Sequence, residues 1–269
     1  MKRLLEKWRP YLTVFRLRAL METQYRAAAL GGLVTQVFFG LVYIFLYTVL
    51  YNGSDPQALA DTITYVWIQQ RFFRMMFSTD GELTNLIMNG GVAYMLVRPL
   101  DQHRFWVCRD IGGRLVGAGM RMVPMLLVQL LLPAQLRMAL PESPLALVQF
   151  VLSVCLGAVC LCELMAIIDA INMKTLDRRG ISAILNLTMM TFSGNVIPLT
   201  LFPDALQALI RYQPFAQALD APIRMYQHAA SLPEWALNVG VQLAWILVLR
   251  AMGRFMWQRR LNDMIVQGG

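Results

Sequence analysis

Long apolar runs alternate with short polar segments along the whole chain. The first run lasts from Ala27 to Tyr51 and holds one glutamine, Gln36, and no charge. A membrane-crossing helix needs about 20 mostly apolar residues, because hydrocarbon offers no partner to free backbone N–H and C=O groups. Runs of the same kind extend over 111–132, 145–168 and 235–257. Two weaker ones lie at 62–78, interrupted by Gln69, Gln70, Arg71 and Arg74, and at 181–201, with Pro198 near its end. The pattern predicts an all-α polytopic membrane protein with six transmembrane helices. The transmembrane domain is expected over 27–257, after an N-terminal segment 1–26 and before a tail 258–269.

The segments between the runs carry their own patterns. Residues 2–20 mix cations with Leu, Trp, Tyr and Phe, which suits an amphipathic helix lying in the membrane interface, interrupted near Pro10, with a solvated positive-inside flank as the alternative. The stretch 80–100 is too polar to cross and too apolar for a plain loop. Its Leu83, Leu86 and Ile87 form one helical stripe behind the acidic pair Asp80 and Glu82, and Gly90–Gly91 ends it. Such a helix either docks on a partner or rests on the membrane surface. Between the fifth and sixth runs, 193–234 is punctuated by Pro198, Pro203, Pro214, Pro222 and Pro233. Its short apolar stripes (Leu206, Leu209, Ile210; Ile223, Met225, Tyr226) predict half-buried or re-entrant helices, with a soluble lid as the alternative. In the third run, Gly113 and Gly117 are spaced for close approach of a second helix, without indicating which one.

Charge fixes the expected orientation. Of 269 residues 57% are hydrophobic and 15% charged, well below the ~25% charged of a soluble domain. The net charge is +8. With six spans, seventeen basic residues fall on the side of the termini. They are Lys2, Arg3, Lys7, Arg9, Arg16, Arg18 and Arg26, then Arg98, Arg104, Arg109 and Arg114, then Lys174, Arg178, Arg179, Arg254, Arg259 and Arg260. Only Arg137, Arg211 and Arg224 fall on the other side. The positive-inside rule therefore predicts cytoplasmic termini. It also accounts for the basic balance without nucleic acid. The charged opening and the long run after it do not fit a cleavable signal peptide.

Little catalytic or metal chemistry is legible. Cys108, Cys155, Cys160 and Cys162 are sparse, no second ligand pair accompanies Cys160-x-Cys162, and His103 and His228 both fall outside the expected spans. Ser193 has no evident partner base, and no phosphate-loop signature occurs, so the chain is not expected to be an enzyme or to hold ATP itself. Charge inside the membrane is the sharper signal. Arg71 and Arg74 share a helix face, and Glu163 is expected at the depth of Arg74. One reading pairs Arg74 with Glu163 and leaves Arg71 to meet an anionic substrate or lipid head group. The other lets both arginines snorkel to the interface. The eighteen methionines, Met75, Met76, Met120, Met122, Met125, Met189 and Met190 among them, suit either an adaptable binding surface or ordinary packing.

Three features together carry a family resemblance across nearly the whole chain. They are the stretch from Glu82 through Gly90 to Leu96-Val97-Arg98-Pro99-Leu100, the run Ser193-Gly194-Asn195-Val196-Ile197-Pro198-Leu199 followed by Phe202-Pro203, and the terminal Gln267-Gly268-Gly269. With the charged N-terminal helix, they resemble the short six-span permease subunits of ABC-2 type exporters. The arginine pair of the second span departs from that pattern. The resemblance implies a permease working as a dimer, with itself or a sister chain, in a bacterial-type plasma (inner) membrane. Two copies of a cytoplasmic ATPase, carrying ATP and Mg, would drive it. It further implies that a coupling helix at 80–90, with Asp80, Glu82, Leu83, Asn85, Leu86, Ile87 and Gly90, sits in a groove of the ATPase. The second and fifth spans would line the path, capped externally by the region of Ser193, Gly194, Pro198 and Pro203. A secondary transporter and a non-transporting scaffold are the alternatives from other classes.

Overall fold

The computed structural model describes residues 2–24, 26–77, 81–175 and 178–262. Among them every regular element is helical. In chain order these are α1 (Lys2–Gln24), α2 (Arg26–Tyr51), α3 (Pro56–Phe77), α4 (Glu82–Met88), α5 (Val92–Leu96) and α6 (Gln102–Leu131). They continue with α7 (Pro144–Thr175), α8 (Arg178–Phe192), α9 (Asp204–Ile210), α10 (Pro214–Ala218), α11 (Asp220–Gln227) and α12 (Leu232–Asn262). Single 3₁₀ turns lie at Ala134–Leu136 and Leu199–Leu201.

Four helices among the described residues are long and apolar enough to cross a membrane: the Gly31–Tyr51 part of α2, then α6, α7 and α12. In α2 the outward positions Val34, Phe38, Val42, Phe45 and Val49 recur at helical spacing and stay exposed, as a lipid-facing stripe requires. The opposite face, Gly32, Gln36, Gly40, Ile44 and Tyr47, turns toward α3 and α6. There a Cβ on Gly40 would lie 3.0 Å from the Trp67 ring, and Ile44, Tyr47 and Trp67 are buried.

The two weak runs differ from the other four for different physical reasons. Helix α3 has 22 residues, about 33 Å of rise, yet every residue from Thr62 to Phe72 is buried within the chain. A helix covered by its neighbours need not be apolar toward lipid, so Thr62, Thr64, Gln69, Gln70 and Arg71 fit there. Helix α8 has 15 residues, about 22 Å, short of a ~30 Å hydrocarbon core. It stops at Phe192, nine residues before the end of the expected run. Gly194 then takes φ 82°, a conformation other residues rarely adopt, with the Tyr65 hydroxyl filling the space of a Cβ. Pro198 completes the break before the turn at Leu199.

Successive passes alternate in direction. A basic end gathers α4, α5, the starts of α6 and α8 and the ends of α7 and α12. The opposite end gathers the α2–α3 turn, the connection 132–143 and α9–α11. The segment 2–20 is helical through Pro10, and α1 lies along the first half of α6. A Cβ on Gly112 would meet the Phe15 carbonyl oxygen at 2.5 Å, and one on Gly113 would lie 3.1 Å from Arg18 Nε. The side-chain-free surface of the third run therefore receives α1. Helix α6 starts earlier than its hydropathy suggests, because the Asp101 carboxylate accepts from the Arg104 N–H at 3.1 Å and caps it. His103 consequently sits in the first turn of a long, apolar helix and is buried, not in a loop outside it.

Candidate functional site

The buried polar side chains of α3 form the centre of the bundle. Arg71 is 1% exposed, its guanidinium covered by the chain's own side chains. It donates to Gln129 Oε1 on α6 at 2.5 Å and contacts the thioether of Met138. Met138 belongs to the connection 132–143, which is drawn into the bundle beside α3. Trp67 Nε1 donates to the Leu136 carbonyl (2.7 Å), the Ala139 N–H donates to Thr64 Oγ1 (3.0 Å), and Tyr226 Oη donates to the Ala139 carbonyl (3.1 Å). These bonds satisfy backbone that would otherwise be stranded.

Helices α10 and α11 pack into the same end of the bundle, against α7. A Cβ on Gly157 of α7 would lie 3.0 Å from the Ala218 backbone, so the absent side chain lets α10 touch α7. Gln242 of α12 donates to Ser153 Oγ (2.9 Å) and to the Gln217 carbonyl (2.8 Å), tying α12, α7 and α10 together. Asp220, fully buried, accepts from Tyr65 Oη at 3.2 Å and from Arg224 Nε at 2.8 Å. Its partners Tyr65 and Arg224 line a cavity of about 580 Å³, together with Tyr51, Asp61, Thr62, Arg211, Tyr212 and His228 among others. His228 Nε2 lies 3.6 Å from Asp61 Oδ2 on its wall. Ser193, Gly194 and Pro198 are buried beside this region, whereas Pro203 is exposed at the start of α9.

Towards the basic end, Glu163 of α7 is buried with an imidazole and a guanidinium as neighbours. His103 Nε2 of α6 lies 3.2 Å from Oε2, and Arg250 Nε of α12 lies 3.9 Å from Oε1. The imidazole also fills the space a Cβ on Gly253 would take, and Trp257 donates its Nε1–H to the Ala166 carbonyl at 2.7 Å. Glu163 is thus placed with His103 and Arg250. The side chain of Arg74, its expected partner, lies outside the described residues. Sequence reading missed His103 because Arg104, Arg109 and Arg114 break the hydropathy of the first turns of α6. The Asp101-x-x-Arg104 cap was the signal that could have extended the helix.

The segment expected to couple to a partner, 80–90, forms α4, and α5 follows directly after it. Leu83 is buried against Trp106, Ala170, Met173 and Trp257, with Leu86 and Ile87 packed beside it. The apolar stripe therefore faces the helices α6, α7 and α12. Glu82 pairs with Arg109, and Gly90, at φ 70°, turns the chain into α5. Glu82 and Asn85 are exposed, together with Met88, Tyr94 and Val97. Asp80 and the terminal Gln267-Gly268-Gly269 lie outside the described residues. Of the methionines, Met75, Met76, Met125 and Met189 are buried packing residues, whereas Met190 is exposed.

Four membrane-length helices around a buried, polar and charged interior mark an integral membrane protein. The family model described as ABC-2 family transporter protein matches residues 32–268, and the chain belongs to that family. Membership makes it a non-catalytic transmembrane component of a transport system that associates with an ABC ATPase. Comparison with curated proteins gives no match.

Proposed function

We propose that the chain is the permease subunit of an ATP-driven exporter. It works as a dimer, with itself or a sister chain, and two ATPase subunits carrying ATP and Mg drive it. Six passes cross the membrane, α3 and α8 completing the four longer helices. The termini, α4 and α5 face the cytoplasm of a bacterial-type inner membrane. The observation that carries this reading is the family match over residues 32–268, joined to the exposed α4–α5 surface at the basic end. The charge asymmetry supports the orientation. Since Leu83, Leu86 and Ile87 pack inward, the ATPase meets Glu82, Asn85, Met88, Tyr94 and Val97. ATP binding then moves α4 and, through its stripe, the ends of α6, α7 and α12. The path runs beside α3, past Arg71, and opens at the other end near Ser193, Gly194 and Pro198, where α10 and α11 form a re-entrant cap.

Co-expression with its cognate ABC ATPase and purification in detergent tests the reading. The wild-type chain and the ATPase co-elute, and Tyr94→Asp with Val97→Asp separates them while leaving the chain folded. Failure of the wild type to associate would move the weight to a secondary transporter or a scaffold.

A further inference from the structure

We propose that Arg71 and Gln129 form the head-group site for an anionic amphiphile, and that the Met138 side chain occupies this site when no such ligand is bound. The proposal rests on the permease reading and narrows its substrate class. Arg71 has two partners, an amide oxygen and a thioether, and among the described residues no carboxylate lies within ion-pair distance of it. A buried cation without a counter-charge is costly, and a thioether is a weak acceptor.

The donors around this point outnumber the acceptors. Because Gln129 Oε1 accepts from Arg71, its Nε2 is turned away as a donor, and it is buried with no acceptor. Arg71 Nε is likewise buried without a partner. An oxyanion head supplies several acceptor oxygens and the missing charge in one group, and guanidinium pairs with it more strongly than with neutral acceptors.

The surroundings specify the rest of the ligand. Met138 packs against two apolar clusters, one of Ile44, Ile63, Val66, Trp67 and Met125, the other including Ile68, Phe72 and Phe150. A ligand that replaces the Met138 side chain meets Arg71 with its head and these clusters with its body. The connection 132–143 forms no membrane-length helix of its own and is held to α3 and α11 by the side chain–backbone hydrogen bonds of Trp67, Thr64 and Tyr226 and by the packing of Leu136 and Met138. It can withdraw without unfolding a membrane-length helix.

The test uses the purified full chain in neutral maltoside micelles, without ATPase. Thermal unfolding is followed with dodecyl phosphate and, as the matched cation, dodecyltrimethylammonium. Dodecyl phosphate raises the midpoint and the cation does not, and Arg71→Gln weakens the apparent affinity roughly 10- to 100-fold. Met138→Glu brings its own carboxylate to Arg71, so it raises the midpoint and removes the response to dodecyl phosphate, whereas Met138→Gln does neither. That comparison decides the matter even if Arg71→Gln does not fold. An undiminished response in Arg71→Gln, or a Met138→Glu variant less stable than Met138→Gln, overturns the proposal. In nanodiscs, phosphatidylglycerol retained by the wild type and lost by Arg71→Gln identifies a lipid as the source of the anion. A response to dodecyl phosphate without such retention identifies a non-lipid amphiphile, and absence of both overturns the site. Because no ATPase takes part, an intact anion response with failed ATPase association would sink the permease reading alone.

Discussion

Replacing Gly112 with alanine adds one methyl group at the point where α1 rests on α6. Its Cβ would lie 2.5 Å from the Phe15 carbonyl oxygen and 3.2 Å from both the Phe15 carbonyl carbon and a ring carbon. Ordinary contact begins near 3.4 Å, and the closest atom belongs to backbone, so no rotamer change relieves the overlap. Alanine gains about 1 kcal/mol over glycine in a helix, while an extra methyl in a filled contact costs about 1–3 kcal/mol. A backbone neighbour places this site at the upper end of that range, so the net effect is a loss of about 2 kcal/mol. Gly119, on the same helix, has nothing within 4 Å of its Cβ position. Gly119→Ala should therefore gain up to about 1 kcal/mol. Equilibrium unfolding in mixed dodecyl sulfate–maltoside micelles compares the two variants. Effects of opposite sign, about 3 kcal/mol apart, are expected. Equal effects would mean that α1 does not dock on α6 at Gly112.

Three further outcomes follow from the buried polar contacts. Tyr65→Phe removes a hydrogen bond to the buried Asp220 carboxylate and should cost about 1.5–3 kcal/mol in the same unfolding assay, with Tyr212→Phe at the cavity mouth near zero. Trp67→Phe removes the bond to the Leu136 carbonyl, worth about 1 kcal/mol, and should speed thiol labelling of a cysteine placed at Ala139. Glu163→Leu leaves Arg250 and His103 without their carboxylate and should cost about 3 kcal/mol or more. The exchange Glu163→Arg with Arg250→Glu should recover part of that loss, and Glu163→Arg with Arg74→Glu should not. Recovery by the Arg74 exchange would assign Glu163 to the other partner.

The sequence made legible the parts of the fold that face lipid. The outward stripe of α2, from Val34 to Val49, and the long apolar helices α6, α7 and α12 had to be hydrophobic, so hydropathy found them. Helix α3 was faint for the opposite reason: its neighbours within the chain cover Thr62 through Phe72, and nothing demands apolar side chains there. The break after Phe192 was invisible to hydropathy because Val196, Ile197, Leu199 and Leu201 continue the run, although Gly194 and Pro198 marked it. The family was legible from motif order along the chain, and the family match agrees. The two neighbours that Glu163 has among the described residues were not. Helical depth put Glu163 level with Arg74, whose side chain lies outside the described residues, but depth says nothing about rotation, and it is rotation that brings His103 and Arg250 beside Glu163. Likewise, the stripe Leu83, Leu86, Ile87 was correctly read as one face, while which surface it meets depends on tertiary packing against Trp106, Met173 and Trp257.

The most direct test of a permease driven by a separate ATPase is ATP turnover in proteoliposomes containing the cognate ATPase with and without this chain. Turnover should change severalfold when the chain is present, and Val97→Asp should return it to the rate of the ATPase alone. Identical turnover with and without the wild-type chain, under conditions where the chain is folded in the bilayer, would contradict coupling between the two.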